Sequence, residues 1–457
     1  MRRWSWVLPL AFVLSLPAVT TRLYASDEIE HFAWLRSWAF DRDVDFDNEY
    51  RYFYDTDIAH GALFYETFLE RVNAAGRREN FAPVGAAVFW APFYAAGHLV
   101  ALASGAATDG FSRPYIAAVA YGSAVYGFLA LLLTLSILRR VLPTPLLPTL
   151  AVWVGTPMLF YMYVAPGFAH ACSAFAVSLF LWIWLQVRAR WSLAGTVLLG
   201  LTGALMAMVR EQDLLFVAGP ALDFLRQLRR NGVLPARIST RMWLAALAAT
   251  AMFVVGYLPQ ALAYTALNGR AGPTEVVSRK MTWTSPHFFS VLLSPEHGLF
   301  FWTPLALVAV AGLVWLAAGR LRPASPDTRW IARLALVMFV LQVYITGSVE
   351  SWTVAGAFGQ RRFIALTPLL ALGLAALVHR AFEGGRPTRV LLGVLVTGCV
   401  WWNLGLMAQF GLHTMDRQRL SLRENAWGVF VEVPRLAPSL VYRYLTDRTS
   451  FYRVPRH

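Results

Sequence analysis

Charged residues are scarce in this chain of 457 residues, and lysine and cysteine are almost absent. Charged side chains make up 14% of the chain and hydrophobic ones 57%, whereas a soluble domain has roughly 25% charged residues. The composition therefore excludes an ordinary soluble protein. The only cysteines, Cys172 and Cys399, lie in apolar segments, which favours two buried apolar side chains over a disulfide or a metal pair.

Nucleotide-binding and redox motifs are missing as well. The sequence has no P-loop, no GxGxxG, no nucleophile elbow and no Cys/His spacing typical of a metal site. The net charge of +14 does not indicate nucleic acid as a partner, because the arginines occur in short clusters between apolar segments. That distribution is typical of loops held on the cytoplasmic side of a membrane.

Apolar stretches of about 20 residues recur along the whole chain, and they predict an all-α integral membrane protein with about 11 transmembrane helices. The basic clusters place the N-terminus in the cytoplasm. The predicted spans cover residues 4–24, 114–138, 146–164, 169–187, 193–209, 214–225, 242–263, 299–318, 331–346, 363–378 and 390–406.

One further apolar segment, residues 81–103, is predicted not to cross the membrane. If it crossed, every later basic cluster would lie on the external side, against the positive-inside rule. Its interruptions are Pro83, Gly85, Pro92 and Gly97. We expect an interfacial helix there, within an external first loop (25–113) of one transmembrane domain (1–406). The tail (407–457) is then external. Its eight arginines oppose the positive-inside trend, which longer translocated segments follow weakly; the alternative is a span count that is wrong by one.

Acidic residues are concentrated between positions 25 and 82, which hold 13 of the chain's 26. Asp27 and Glu28 come first, directly after the first span. A carboxylate at the outer interface could deprotonate an acceptor hydroxyl or hold a divalent metal ion, and burial near lipid is expected to raise its pKa into a useful range. The alternative is a solvated acidic loop.

Several basic residues fall on the predicted outer side, where a phosphate is one possible partner. The candidates for binding phosphate are Arg210, Lys280 (the chain's single lysine), His297, Arg361 and Arg362. His170 faces the same side and is a weaker candidate for contact with substrate or metal. For Arg210 an ion pair within its own turn is an equal alternative, and the acidic first loop could instead pair with the two adjacent arginines.

A first helix, a long external loop beginning SDEIEHF, a proline-containing segment FAPVGAAVFWAPF and an arginine closing a middle span resemble the GT-C glycosyltransferases. The resemblance is strongest to bacterial members similar to dolichyl-phosphate-mannose–protein mannosyltransferases. It covers residues 4–225, and beyond them it depends on topology and on short stretches such as SPEHGLFFWTP.

This resemblance implies a polyprenyl-phosphate-linked sugar donor, and transfer to a protein, lipid or glycan on the extracytoplasmic side of a bacterial inner membrane. It implies that Asp27 is the catalytic base with Glu28 assisting, and that Arg210, with Arg361 or Arg362, lies near the donor phosphate. Two alternatives stay open: a flippase of lipid-linked sugars, which lacks the support of an inverted repeat, and a non-catalytic membrane assembly factor.

Overall fold

The computed structural model describes residues 6–56, 58–59, 61–143, 145–230, 240–320 and 325–447. In these ranges the chain is helical, and the only β pairing consists of two isolated bridges. The predicted all-α class is therefore confirmed for the described part of the chain. Arg237 and Arg322 of the predicted inner loops, and the tail beyond Asp447, lie outside these ranges.

The α-helices are numbered in chain order. The first half of the chain forms α1 (Val7–Ser15), α2 (Ser26–Arg36), α3 (Asp47–Asp55), α4 (Ala62–Phe64), α5 (Gly85–Ser104), α6 (Arg113–Val141), α7 (Leu146–Gly155), α8 (Met158–Tyr163), α9 (His170–Val187), α10 (Leu193–Val209) and α11 (Ala218–Arg230). The second half forms α12 (Thr240–Asn268), α13 (Glu275–Arg279), α14 (Ser290–Leu293), α15 (Leu299–Trp302), α16 (Pro304–Ala317), α17 (Pro326–Gly347), α18 (Thr367–Glu383), α19 (Arg386–Gly411), α20 (Leu422–Trp427) and α21 (Val433–Thr446).

Among the described residues, seven helices are long and apolar enough to cross a membrane. They are Gly85–Ser104, Arg113–Val141, His170–Val187, Met242–Asn268, Pro326–Gly347, Arg361–Glu383 and Arg386–Gly411. Four shorter apolar helices are Val7–Ala18, Leu146–Gly155, Leu193–Val209 and Pro304–Ala317. These helices agree with an all-α membrane protein, whereas length and composition alone do not yield the predicted count of about 11.

Several predicted spans are not single helices; the one at 299–318, for example, is divided between α15 and α16 at Thr303. Two other breaks matter for the site. The span at 146–164 is broken between α7 and α8, where Thr156 adopts an extended conformation before Pro157, as the residue before a proline prefers. The span at 214–225 is divided between a 3-10 helix, Glu211–Val217, and α11. Both breaks lie next to residues that form the site described below.

Helix α5 runs antiparallel to the first half of α6. The Trp90 indole N–H donates to the Ser123 hydroxyl over 2.8 Å, and the Tyr126 hydroxyl donates to the Phe89 carbonyl over 2.9 Å. The start of α5, at Gly85, packs against Met208 and Val209 at the end of α10. The other end of α5 therefore lies beside the start of α6 and not beside its Arg139-Arg140 end.

The predicted outer loops meet at one end of the helical bundle. Asp27 pairs with Arg361 at that end, and the Leu420 backbone N–H donates to the Pro295 carbonyl over 3.0 Å. At the opposite end, the predicted inner loops meet around Arg188, which pairs with Asp223 at 2.7 Å and with Asp327 at 2.6 Å. The grouping of loops into two sets thus agrees with the arrangement expected from the basic clusters.

The acidic first loop is folded rather than loosely solvated. Arg36 pairs with both Asp41 and Glu49, and Asp47 pairs with Arg51 and with Arg78. Phe32, Phe46, Tyr50 and Phe53 are fully buried beneath these pairs. Much of the acidic charge therefore stabilises the fold of this loop, and Asp27 differs because its arginine partner lies 334 residues later in the chain.

Helices α16 and α18 cross at two glycines. A Cβ atom on Gly373 would lie 1.9 Å from the Ala309 carbonyl oxygen, and one on Gly312 would lie 2.1 Å from the Gly373 carbonyl oxygen. Small residues at such crossings let helix backbones approach closely in membranes. The crossing matters for the site because α18 continues directly from the segment that carries Arg361 and Arg362.

Replacing Gly373 with alanine is expected to destabilise the fold by about 1–3 kcal/mol, because the new methyl group meets backbone atoms that cannot turn away. The measurement is the thermal unfolding midpoint of the purified protein in detergent. Gly393→Ala is the matched control, since nothing lies within 4 Å of a Cβ atom on Gly393 in α19. Equal midpoints for the two variants would contradict the close crossing.

Candidate functional site

An ion pair between Asp27 and Arg361 joins residues that are 334 positions apart, with 2.7 Å between Oδ2 and Nη1. Asp27 lies in the first turn of α2, and Arg361 opens the 3-10 helix Arg361–Leu366. The Arg361 guanidinium also lies over the Phe168 ring, 4.9 Å from its centre. The Asp27 side chain is 44% exposed and that of Arg361 is 14% exposed, so a ligand can reach the carboxylate.

Glu28 is fully buried, and backbone N–H groups hold its carboxylate. Oε2 accepts hydrogen bonds from Tyr24 and Ala25, at 3.0 and 3.1 Å, and Oε1 accepts one from Gly167 at 3.2 Å. Burial raises the pKa of Glu28 to about 7, against the opposing effect of these N–H groups. Glu28 therefore ties the start of α2 to the loop before α9, and its hydrogen bonds involve none of the arginines.

Arg210 follows the last residue of α10 and is held by neutral partners. Its Nη1 lies 2.7 Å from His170 Nδ1, and its Nη2 donates to Gln212 Oε1 over 3.1 Å. The Gln212 amide in turn donates to the Arg362 carbonyl over 2.9 Å. The break between α10 and α11 thus brings Arg210 next to the Arg361-Arg362 segment.

Several polar atoms in this arrangement are buried without a partner. Arginine can only donate, so His170 Nδ1 accepts and the proton of the neutral ring sits on Nε2. That nitrogen, Arg210 Nε and Arg362 Nε find no hydrogen-bond partner among the described residues. Each unsatisfied buried donor costs about 1–3 kcal/mol, which favours a ligand that brings acceptor oxygens.

The site is cationic. Three guanidinium groups (Arg210, Arg361 and Arg362) face the carboxylates of Asp27 and Asp213, and Asp213 accepts a 2.6 Å hydrogen bond from the Ser173 hydroxyl. Burial lowers the pKa of the nearby His31 to about 4, so its ring is neutral. Among these five groups the arginines outnumber the carboxylates by one, which suits an anion such as a phosphodiester.

The expectation that burial raises the pKa of Asp27 is wrong. Burial does act in that direction, but the charge and hydrogen bond of Arg361 outweigh it, and the pKa lies below its usual value of 3.8. Glu30, one turn away, behaves as expected: its pKa is well raised by burial and by the charge of Asp27. Its carboxylate accepts a 2.6 Å hydrogen bond from the Phe81 backbone N–H.

Two predicted phosphate ligands share no hydrogen bond with the three arginines in the part of the chain that the structure describes. Lys280 is exposed at the end of α13, where its carbonyl accepts a hydrogen bond from the Glu350 backbone N–H. His297 is fully buried with its ring stacked on Trp302, 4.5 Å between centres, and burial lowers its pKa to about 4. Its carbonyl accepts a hydrogen bond from the Gln360 side-chain amide over 3.1 Å. The His297 backbone therefore helps to hold the residue that precedes Arg361 in place.

Sequence reasoning missed Gln212, Phe168 and Tyr161. The Tyr161 hydroxyl donates to the Phe358 carbonyl over 3.1 Å, and its ring lies 4.7 Å from that of His170. Aromatic and amide side chains at helix breaks carry no local signal that distinguishes them from the many others in this chain. Only the break at Thr156-Pro157 marks the region in the sequence.

Within the ranges that the structure describes, no three His, Cys, Asp or Glu side chains are grouped so as to hold a metal ion. Compared with known proteins, the chain matches no family model and no curated protein.

Proposed function

We propose that this protein is a GT-C-like membrane glycosyltransferase that moves a sugar from a polyprenyl-phosphate-linked donor to an acceptor hydroxyl. The observation that carries the proposal is the meeting of Asp27 with Arg361, Arg210 and Arg362, in which an accessible carboxylate stands beside a cationic group with unsatisfied donors. The acceptor is a protein, a lipid or a glycan at the membrane surface.

The arginines bind the donor phosphate in this proposal. The bond between the sugar's anomeric carbon and the phosphate oxygen breaks, and polyprenyl phosphate leaves with the bonding electrons. Guanidinium groups stabilise the charge that develops on it. The acceptor oxygen forms the new bond to the anomeric carbon, and its proton passes to Asp27.

Arg361 has two roles here. Before the donor binds, it holds Asp27 ionised through the 2.7 Å contact. A bound phosphate then shares the same guanidinium, which weakens its hold on the carboxylate and makes Asp27 a stronger base. Arginine suits this sharing because its planar fork offers several N–H donors at once.

The pH dependence of the reaction distinguishes Asp27 from Glu28 as the base. A carboxylic acid acts as a base only when ionised, so kcat/KM falls as the pH falls through its pKa. With Asp27 as the base, the fall lies below pH 3.8, whereas with Glu28 it lies near pH 7. We expect no loss of kcat/KM between pH 8 and about pH 5. Unfolding measured across the same range controls for loss of structure.

The proposal includes the topology argued from the basic clusters: about 11 spans, a cytoplasmic N-terminus, and the site on the extracytoplasmic side of a bacterial inner membrane. An interfacial position for α5 belongs to the same proposal, and its support is the packing of Gly85, at the start of α5, against the outer end of α10. The contact between Leu420 and Pro295, a residue of a predicted outer loop, supports an external tail.

The donor's lipid chain needs an apolar path. A groove of about 360 Å³ lies between α10, α11 and α12, and its lining includes Leu214, Gly203 and Ala246. Leu214, which lines the groove, directly follows Asp213 in the chain. Gly203, which also lines it, lies about 10 Å along α10 from Arg210. We propose that the isoprenoid chain occupies it.

Filling the groove is expected to weaken the use of long-chain donors. Ala246→Phe should raise the KM of a long-chain polyprenyl donor about tenfold, since roughly two CH₂-sized contacts at about 0.8 kcal/mol each would be lost. The KM of a short-chain, water-soluble donor should not change. Ala251→Phe is the matched control, because Ala251 is exposed on the same helix and does not line the groove. Equal effects on both chain lengths would contradict this path.

Transfer is tested in vesicles that contain the purified protein and a polyprenyl-phosphate sugar labelled in the sugar. The transferase predicts label that leaves its lipid for an acceptor or for water. Label that crosses the bilayer while still attached to the lipid would replace the proposal with a flippase. Donor that neither reacts nor crosses, across a panel of protein, lipid and glycan acceptors, would favour a non-catalytic assembly factor.

A further inference from the structure

The tail that follows α19 contains an almost continuous helical segment. It runs through α20, a π-helical turn (Gly428–Glu432) and α21. Its start is fixed to the bundle, because Gln409 and Asn425 exchange two hydrogen bonds of 3.1 Å and Val429 is fully buried. No residue of α21 is buried, so this helix extends away from the protein core.

Helix α21 presents an exposed apolar stripe. Pro434, Pro438, Val441 and Leu445 follow each other at intervals of four, three and four residues, which places them on one face. All four are exposed, Val441 by 58% and Leu445 by 76%. The polar side chains Glu432, Arg435, Ser439 and Arg443 alternate with them and lie on another face.

The position of α21 identifies what covers this stripe. The Tyr444 hydroxyl donates to the Pro17 carbonyl over 3.3 Å, in the 3-10 turn that ends the first apolar helix. That helix exposes Leu10, Val13 and Leu14, the last by 71%. The stripe therefore continues the lipid-facing surface of α1 at the end of the bundle where Asp27 lies.

We propose that α21 lies in the interfacial layer of the membrane on the side of Asp27, with its apolar stripe among the acyl chains and Arg435 at the level of the lipid phosphates. An amphipathic helix with basic residues on its polar face binds a membrane in this way. A second copy of the chain would have to cover the α21 stripe and α1 together, whereas a bilayer covers both without a specific partner. The inference does not depend on the proposed sugar transfer.

The test uses the full-length protein in vesicles of zwitterionic and anionic phospholipids, with a fluorescent label on Leu445→Cys or on Ser439→Cys. Wild type serves as the labelling blank, because Cys172 and Cys399 are buried. At position 445 we expect quenching by acyl-chain spin labels and several-fold weaker quenching by aqueous iodide than at position 439. Equal quenching by iodide at both positions would overturn the proposal.

A second variant tests whether the stripe causes the burial. Adding Val441→Glu to Leu445→Cys should restore quenching by iodide at position 445, while the thermal unfolding midpoint stays unchanged because α21 has no buried residue. Protection that persists in this variant would overturn the proposal. So would protection that disappears when the protein is diluted in excess lipid, since that result indicates a second copy of the chain.

Discussion

Replacing Asp27 with asparagine is expected to lower kcat for sugar transfer by about 10²–10⁴-fold, the range contributed by a positioned general base. Asparagine keeps the shape of the side chain and loses its charge, so the acceptor proton has no carboxylate to receive it. The KM for the donor should not rise, because the change releases Arg361 from its ion pair and leaves a further guanidinium for the phosphate. The measurement is initial-rate transfer of labelled sugar in vesicles.

The matched control is Glu275→Gln. Glu275 pairs with Arg279 at 2.8 Å, as Asp27 pairs with Arg361, but it is exposed on α13 and belongs to no part of the site. This control should transfer sugar at the wild-type rate. A folded Asp27→Asn protein that retains most of its kcat would remove Asp27 from the chemistry.

The same experiment separates the two acidic residues that the sequence singled out together. Glu28→Gln replaces one acceptor oxygen by an amide that faces backbone N–H groups, so we expect a lower unfolding midpoint. The fraction that stays folded should transfer sugar at a normal rate. A folded Glu28→Gln protein without activity would instead assign the base to Glu28.

Asp27 and Arg361 could each be selected from the sequence, because an ionisable residue next to an apolar span requires a reason. Their contact could not be predicted, since nothing local determines which of several outer loops meets the first loop across 334 residues. The pKa of Asp27 was predicted in the wrong direction for the same reason. Burial can be anticipated from the sequence, whereas the neighbour that outweighs it depends on the tertiary fold.

For Lys280 and His297, the role in phosphate binding stays a prediction. Lys280 drew attention as the single lysine; it lies exposed at the end of α13 and shares no hydrogen bond with the three arginines among the described residues. His297 was selected for its position at the mouth of a span, and it is buried against Trp302. Gln212, which links Arg210 to the Arg362 carbonyl, carries no charge, and the sequence gives no reason to choose it over other glutamines.

Replacing Arg210 with glutamine is expected to weaken donor binding by about 10- to 150-fold, because a hydrogen bond to a charged group contributes about 1.5–3 kcal/mol. Arg210 is the most informative of the three arginines, since its hydrogen-bond partners are the neutral His170 and Gln212. Among the described residues no hydrogen bond joins the Arg210 guanidinium to a carboxylate, whereas Arg361 is paired with Asp27.

Binding of polyprenyl phosphate without a sugar measures this loss directly, for example by native mass spectrometry or by inhibition of transfer. Arg279→Gln is the control, because Arg279 is an exposed arginine paired with Glu275 on α13. Arg210→Lys should restore part of the affinity, since lysine keeps the charge without the planar fork.

Arg210→Gln and Asp27→Asn should affect different steps, namely donor binding and turnover. Arg210→Gln is expected to lose affinity for polyprenyl phosphate, while Asp27→Asn keeps that affinity and loses turnover. If Arg210→Gln binds polyprenyl phosphate as wild type does, the guanidinium does not face the phosphate. Its contacts with His170 and Gln212 would then serve only to close the break between α10 and α11, and the unsatisfied Nε atoms of Arg210 and Arg362 would need another ligand.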